Sequence, residues 1–159
     1  MPPTPPRPIN RRELWIITGI ARGAEAPKIA DRLGLSDSST KIRIHRMIHR
    51  YGAGNRAGLI DYAYRQGWLT RLTREQRAPI LLPRPLREVL AGAAAGLSNA
   101  EIAERLGLSV YAVSRRFEAL FDALEARNRC HAVALGWQLG LLGKGARTPA
   151  IRPDRAAAA

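Results

Sequence analysis

A chain of 159 residues, 46% hydrophobic and 25% charged, has an ordinary globular composition with room for one or two small domains. Its formal net charge of +13 and isoelectric point near 11.4 favour a polyanionic partner (DNA, RNA or an anionic membrane face), the bland alternative being a basic surface kept for solubility. The lone cysteine, Cys130, excludes an internal disulfide or a thiol-rich zinc site and suits a reducing cytoplasm, and no run approaches the length of a membrane span.

Residues 1–8 are rich in proline, lack the apolar stretch of a signal peptide and read as an extended, disordered arm. A first helix is expected over Arg11–Arg22, opened by Asn10 and Glu13 at capping-box spacing, with Leu14, Ile17 and Ala21 on one face. A second covers Pro27–Leu33, with Pro27 in its first turn and Gly34 closing it in a left-handed conformation. Ser36 caps a third helix that runs to about Arg50 and buries Thr40, Ile44, Met47 and Ile48. A fourth, Arg56–Gln66, ends at Gly67, after which Trp68 and Leu69 can pack back on the domain.

Residues 70–82 read as a linker, with a short helix before Pro79 suggested by Thr73 and Gln76. Fully extended, such a linker reaches about 40 Å, enough for two units to address successive major grooves, whereas a helical one would dock them together. The same four-helix series then recurs: Arg84–Ala95 with Leu86, Leu90 and Ala93; Asn99–Leu106 with Ser98 and Glu101 as a capping box and Gly107 as stop; a third helix after Ser109 with Val113, Phe117, Leu120 and Phe121 inward; and Arg129–Leu139 before Gly140. Cys130 falls in an apolar pattern as a small buried hydrophobe, and residues 143–159 read as a disordered, weakly basic tail.

The recurrence is free of gaps. An offset of 73 carries Gly23 to Gly96, Ile29 to Ile102, Gly34 to Gly107, Asn55 to Asn128, Gly67 to Gly140 and Leu69 to Leu142, and roughly 17 of about 60 aligned positions are identical, which makes a duplication, or two units of one family, a better account than chance. Each copy contains a short helix, a glycine turn and a second helix, the pattern of a helix-turn-helix.

The second copy carries Arg87-Glu88-Val89-Leu90, Gly96-Leu97-Ser98-Asn99-Ala100-Glu101-Ile102-Ala103, Leu106-Gly107-Leu108-Ser109, Val113, Asn128-Arg129 and Ala132-Val133-Ala134-Leu135. With these residues, 82–142 strongly resembles the DNA-binding domain of the LuxR/NarL (GerE-type) regulators. Residues 9–69 resemble it more weakly, through Arg12-Glu13, Ile29-Ala30, Leu33-Gly34-Leu35-Ser36, Lys41 and Asn55-Arg56. The resemblance implies a four-helix domain whose third helix enters the major groove and whose fourth helix is a dimer face. It also implies DNA contact by a Lys on the third helix, matched by Lys41 but replaced by Ser114 in the second copy.

Charge separates the copies. Residues 1–69 hold 12 Lys/Arg against 5 Asp/Glu, and residues 83–142 hold 7 against 6. Since phosphate neutralisation supplies most non-specific DNA affinity, the first copy is expected to be the anchor, through Lys41, Arg43, Arg46, Arg50 and Arg56, with Arg43 in a register that also allows it to face inward. The candidate DNA-contacting set is Ser38, Ser39, Lys41, Ile42, His45, Arg46, His49 and Arg50 with Asn99, Ala112, Ser114, Arg115 and Glu118. Arg115 suits guanine readout or a salt bridge to Glu118; Asn99 suits a phosphate contact or plain capping; Asn128 and Arg129 suit capping of the fourth helix. His45 and His49 have metal-ligand spacing but no third ligand nearby. Trp15, Trp68 and Trp137 are expected in core or interface, and Leu135, Trp137 and Leu139 as a candidate interface.

The expected fold is therefore all-α: tandem helix-turn-helix domains at 9–69 and 83–142, a linker at 70–82 and disordered arms. No catalytic constellation, cofactor, metal, membrane or small-molecule ligand is expected. The leading function is a cytoplasmic, nucleoid-associated transcription regulator on double-stranded DNA, with a direct-repeat or asymmetric site favoured. The alternatives are an adaptor whose second domain binds RNA polymerase or a second copy of itself, and a sequence-indifferent DNA coat.

Overall fold

The computed structural model describes residues 7–143, which form eight α-helices and no strand. They are α1 (Arg11–Ala21), α2 (Ala26–Leu33), α3 (Asp37–Arg50), α4 (Arg56–Arg65), α5 (Arg84–Ala94), α6 (Asn99–Leu106), α7 (Val110–Leu124) and α8 (Arg129–Gln138). Each of α5 to α8 starts 73 residues after its counterpart among α1 to α4: 84 − 11, 99 − 26, 110 − 37 and 129 − 56. The basic tail and most of the Pro-rich arm fall outside the described residues. At the arm's end the Arg7 carbonyl accepts a hydrogen bond of 3.2 Å from the Tyr51 hydroxyl.

Local chemistry sets the helix limits. Asn10 and Glu13 form a reciprocal capping box at α1, and Ser98 and Glu101 form another at α6. Helix α2 has no side-chain cap and relies on Pro27 in its first turn. Ser36, Asn55, Ser109 and Asn128 each accept the backbone N–H of the third residue of the helix they precede. Gly34 (φ 63°, ψ 35°) and Gly107 (φ 65°, ψ 37°) end α2 and α6 in nearly the same left-handed conformation.

One apolar core runs through both halves, from Ile16, Ile17 and Ile20 through Ile44, Met47, Leu59 and Ile60 to Leu90, Ile102, Leu120 and Leu135. The halves meet through α4 against α8, flanked by α1 on α8 and α4 on α5. These contacts are reciprocal. Asn55 Nδ2 donates to the Leu97 carbonyl at 3.4 Å, and Asn128 Nδ2 donates to the Gly23 carbonyl at 3.0 Å. Gly96 lies against the backbone of Gly54 and Gly58, and its counterpart Gly23 lies against Arg127 and His131, which follow Gly54 and Gly58 by 73.

Two expectations are corrected. No helix forms between Arg65 and Arg84, although Thr73 and Gln76 have the spacing for one. The segment is instead held in irregular structure by partners outside itself. The Glu75 N–H donates to Gln138 Oε1 at 2.9 Å, Arg77 donates to the Leu124 carbonyl at 2.9 Å, and Leu82 is buried. The halves are thus docked without a helical linker, and the linker does not hold them apart. Trp15 also leaves the core: its side chain is 58% exposed, because α1 turns Glu13, Ile16, Ile17 and Ile20 inward.

Candidate nucleic-acid interface

Helix α3 presents a polar, basic face beside the α2–Gly34 turn. Ser38, Lys41, Ile42, His45, Arg46 and His49 are all exposed and share one side of the helix, opposite the buried Thr40, Ile44 and Met47. Ser39 is half-buried, its backbone N–H bound to the capping Ser36 hydroxyl at 3.1 Å. Lys41 pairs with Asp37 at 2.7 Å across one turn, with both partners about half exposed. Such a surface pair holds the lysine only weakly, so a phosphate can displace the carboxylate.

The remaining basic candidates of the first half differ in availability. Arg46 makes no ion pair among the described residues. Arg50 is committed inward: its NH1 lies 2.9 Å from Glu13 Oε1 and its guanidinium packs on the Tyr51 ring. Those two hydrogen-bonding partners, Tyr51 first and Glu13 next, hold its pKa above the ordinary arginine value. Arg56 sits 3.8 Å from Glu25, and Arg43 is half-buried.

Helix α7 offers a different face. Arg115 and Glu118 are exposed and bonded to each other at 2.6 Å, so the guanidinium is neutralised by its neighbour. Ala119 and Asp122 complete the outer side. Ala112 and Ser114 are half-buried, and Ser114 Oγ receives the Asn99 amide at 3.2 Å. The other end of that amide, Asn99 Oδ1, accepts from Arg129. Arg129 in turn donates to the Leu97 carbonyl at 3.2 Å and stacks 4.1 Å over Phe117. Asn99 and Arg129 therefore brace α6, α7 and α8 together, and burial lowers the Arg129 pKa.

Sequence reasoning passed over Tyr111 and Val110, which open α7 with side chains 74% and 49% exposed. The repeat register held the signal, because Tyr111 stands where the first half has the exposed Ser38. It named Trp137 but missed its partners Tyr64 and Asp61, and missed the His131–Glu75 contact. Trp137 stacks on Tyr64 and donates its indole N–H to the buried Asp61 at 2.8 Å. His131 is wholly buried, accepts the Arg127 N–H at Nδ1 and contacts Glu75 through Nε2 at 2.7 Å. Among the candidate interface residues, Leu135 is fully buried in the core, Trp137 faces α4 of the same chain, and Leu139 is half-buried beside the linker.

Cys130 is half-buried in a cleft lined by Ile20, Ala24, Glu25, Arg56, Asn128 and Arg129. Burial pushes its thiol up to about 11, which leaves it protonated and inert at neutral pH. No described helix is long and apolar enough to cross a membrane, and no three described His, Cys, Asp or Glu residues are placed to hold a metal ion.

A capped helix, a left-handed glycine turn and a second helix with an outward polar face define the helix-turn-helix class, and α6–Gly107–α7 has all three. Residues 86–135 match the family described as bacterial regulatory proteins, luxR family, and form one helix-turn-helix domain of that family. Over 60 residues the chain is 32% identical to the uncharacterized transcriptional regulatory protein YxjL of Bacillus subtilis (strain 168), a match covering 38% of this chain and 28% of that protein. The chain thus spans little more than a quarter of that relative's length. No solved structure matches the chain.

Proposed function

We propose that this chain is a DNA-binding transcription regulator in which α1–α4 and α5–α8 are two helix-turn-helix units paired within one polypeptide, with α3 as the principal reading helix. The observation that carries the reading is the exposed basic face of α3, Lys41, His45, Arg46 and His49, set beside a glycine turn whose angles repeat those at Gly107. Lysine and arginine on such a face supply phosphate affinity, and the same face presents side chains to base edges in the major groove.

The reciprocal contacts between the halves support a two-fold arrangement. In such an arrangement each half offers the same patch to the other, as Gly96 with Gly58 and Gly23 with His131 do. Paired readers related in this way favour an inverted site with unequal halves over the direct repeat expected from a tandem sequence. Binding-site selection from random duplexes at two salt concentrations tests the reading, with wild type, a Lys41→Ala/Arg46→Ala variant and Arg115→Ala compared. A shared motif weakened by both variants supports the paired reader.

The Arg115–Glu118 pair and the exposed Tyr111 favour a second reading, in which α7 meets protein and only α3 holds DNA. Loss of the motif in the first variant alone supports it. Binding without any enriched motif counts against both and leaves a sequence-indifferent coat.

A further inference from the structure

The outer flank of α1 differs from that of α5 in one decisive position. In the second half Glu88, with its side chain 16% exposed, bridges Arg84 Nε at 2.9 Å and Arg116 NH1 at 3.2 Å. The positions 73 residues earlier hold Trp15, Arg11 and Arg43. Tryptophan cannot neutralise either arginine. Neither Arg11 nor Arg43 has a carboxylate partner among the described residues, and Arg43 Nε is buried without any acceptor. This flank thus lacks the carboxylate that Glu88 supplies to the matching pair of arginines in the other half.

Beside the exposed Trp15 a groove of about 80 Å³ opens between α1 and α2, the size of one aliphatic side chain. Gly19, Ile29 and Leu33 give it an apolar lining, and Arg22 and Arg32 also line it. No acidic residue lines it, and neither guanidinium makes an ion pair among the described residues. An exposed tryptophan flanked by arginines is the composition of a binding hot spot. Duplex DNA could satisfy the arginines but has nothing to fill the apolar groove.

We propose that this flank docks an acidic amphipathic segment of a partner protein. One apolar side chain of the segment seats against Trp15, Ile29 and Leu33. Its carboxylates meet Arg22 and Arg32 and supply, towards Arg11 and Arg43, the charge that Glu88 supplies in the other half. This surface is separate from the α3 face that carries the DNA reading, so either can fail alone.

The test uses the full chain, labelled with nitrogen-15, and a short synthetic helical peptide of Leu, Phe and Glu. Its controls are the same peptide with Lys in place of Glu and a short random-sequence duplex. The Trp15 indole resonance, assigned by its absence in Trp15→Glu, is expected to shift saturably with the acidic peptide. Arg22→Glu and Arg32→Glu are expected to weaken that binding roughly tenfold each while leaving duplex binding by α3 within about threefold. Both residues are exposed, Arg22 at the C-cap of α1 and Arg32 on α2, so their substitutions remain informative if Trp15→Glu fails to fold. The proposal is overturned by the absence of a saturable shift, by an equal response to the Lys peptide, by a duplex that moves Trp15 as strongly, or by a shift that follows protein concentration without peptide.

Discussion

Tyr64 and Trp137 stack face to face, with ring centroids 5.6 Å apart and planes 4° from parallel, and they are the same position of the two halves, 137 − 64 = 73. A position that meets its own counterpart lies at the axis of a two-fold contact. The pair is reinforced on both sides: the Trp137 indole donates to Asp61, and Arg65, itself bound to Asp61 at 2.7 Å, lies over the Trp137 ring. Trp137→Ala is expected to cost about 3 kcal/mol, near the low end for a large aromatic because the ring is only half-buried. Trp137→Phe, which keeps the stack and loses the hydrogen bond to Asp61, is expected to cost roughly 1–2 kcal/mol. Urea denaturation checks both, and a loss under about 1 kcal/mol for the alanine variant would show that the halves do not depend on this pair.

Gly58 tests how tightly backbone is packed where α4 meets the opposite half. It lies inside α4, where alanine would ordinarily stabilise a helix by about 1 kcal/mol. A Cβ there would collide with the Ala53 carbonyl oxygen of its own half and stand 2.8 Å from the Gly96 Cα of the opposite half, against backbone that cannot rotate away. Gly58→Ala is therefore expected to destabilise by about 2 kcal/mol or more, reversing the sign given by propensity. Gly107→Ala provides the contrast. Its Cβ would meet open space, and its cost, about 1–2 kcal/mol, comes only from the left-handed backbone at φ 65°. Thermal or urea melts of the two variants separate collision with neighbouring backbone from left-handed strain.

Elements set by local rules were legible in the sequence. Asn10 with Glu13, Ser98 with Glu101, and the glycines after α2 and α6 announce helix ends through hydrogen bonds that span only a few residues. The constant offset extended those limits from one half to the other. What stayed hidden depends on partners far apart in the chain. Thr73 and Gln76 have a helix-start spacing, yet Glu75 is claimed by Gln138 and His131, more than fifty residues away. Arg50 stands on the basic helix in sequence, yet Glu13 turns it inward. At the candidate site, the exposed face of α3 followed from periodicity. The Arg115–Glu118 pairing was visible only as one of two options, because i, i+3 spacing permits a contact without requiring it.

The capping box at α6 gives stability a pH dependence whose sign can be worked out. The Ser98 backbone N–H, donating at 2.7 Å, and then its side chain hold the Glu101 carboxyl below the usual carboxylate value of 4.5. A depressed pKa in the folded state means the contribution is complete above the unfolded value and is lost as pH falls through the folded one. Wild type is thus expected to lose part of its α6 stability on acidification below about pH 4.5. Glu101→Gln keeps a hydrogen-bonding side chain without the titrating charge, so its melting temperature should vary less over that range. Thermal melts of the two proteins across the acid range, compared as a difference, check this; identical curves would assign the acid sensitivity to other carboxylates.

Arg115 and Glu118 give the sharpest means of asking what α7 faces. Their contact of 2.6 Å joins side chains 64% and 60% exposed, so it adds little to stability and mainly cancels the arginine's charge. Glu118→Gln should leave the fold unchanged and release a guanidinium on the outer face of α7. If α7 lies in a groove beside α3, the variant binds its selected duplex about threefold more tightly, with a salt slope steeper by roughly one phosphate contact. Arg115→Ala, which leaves the Glu118 charge uncompensated, then weakens binding by a similar factor of about three, while Lys41→Ala/Arg46→Ala weakens it tenfold or more. Titrations at several salt concentrations give affinity and slope together. An unchanged slope in Glu118→Gln would place α7 away from the phosphates and leave α3 as the DNA-holding helix.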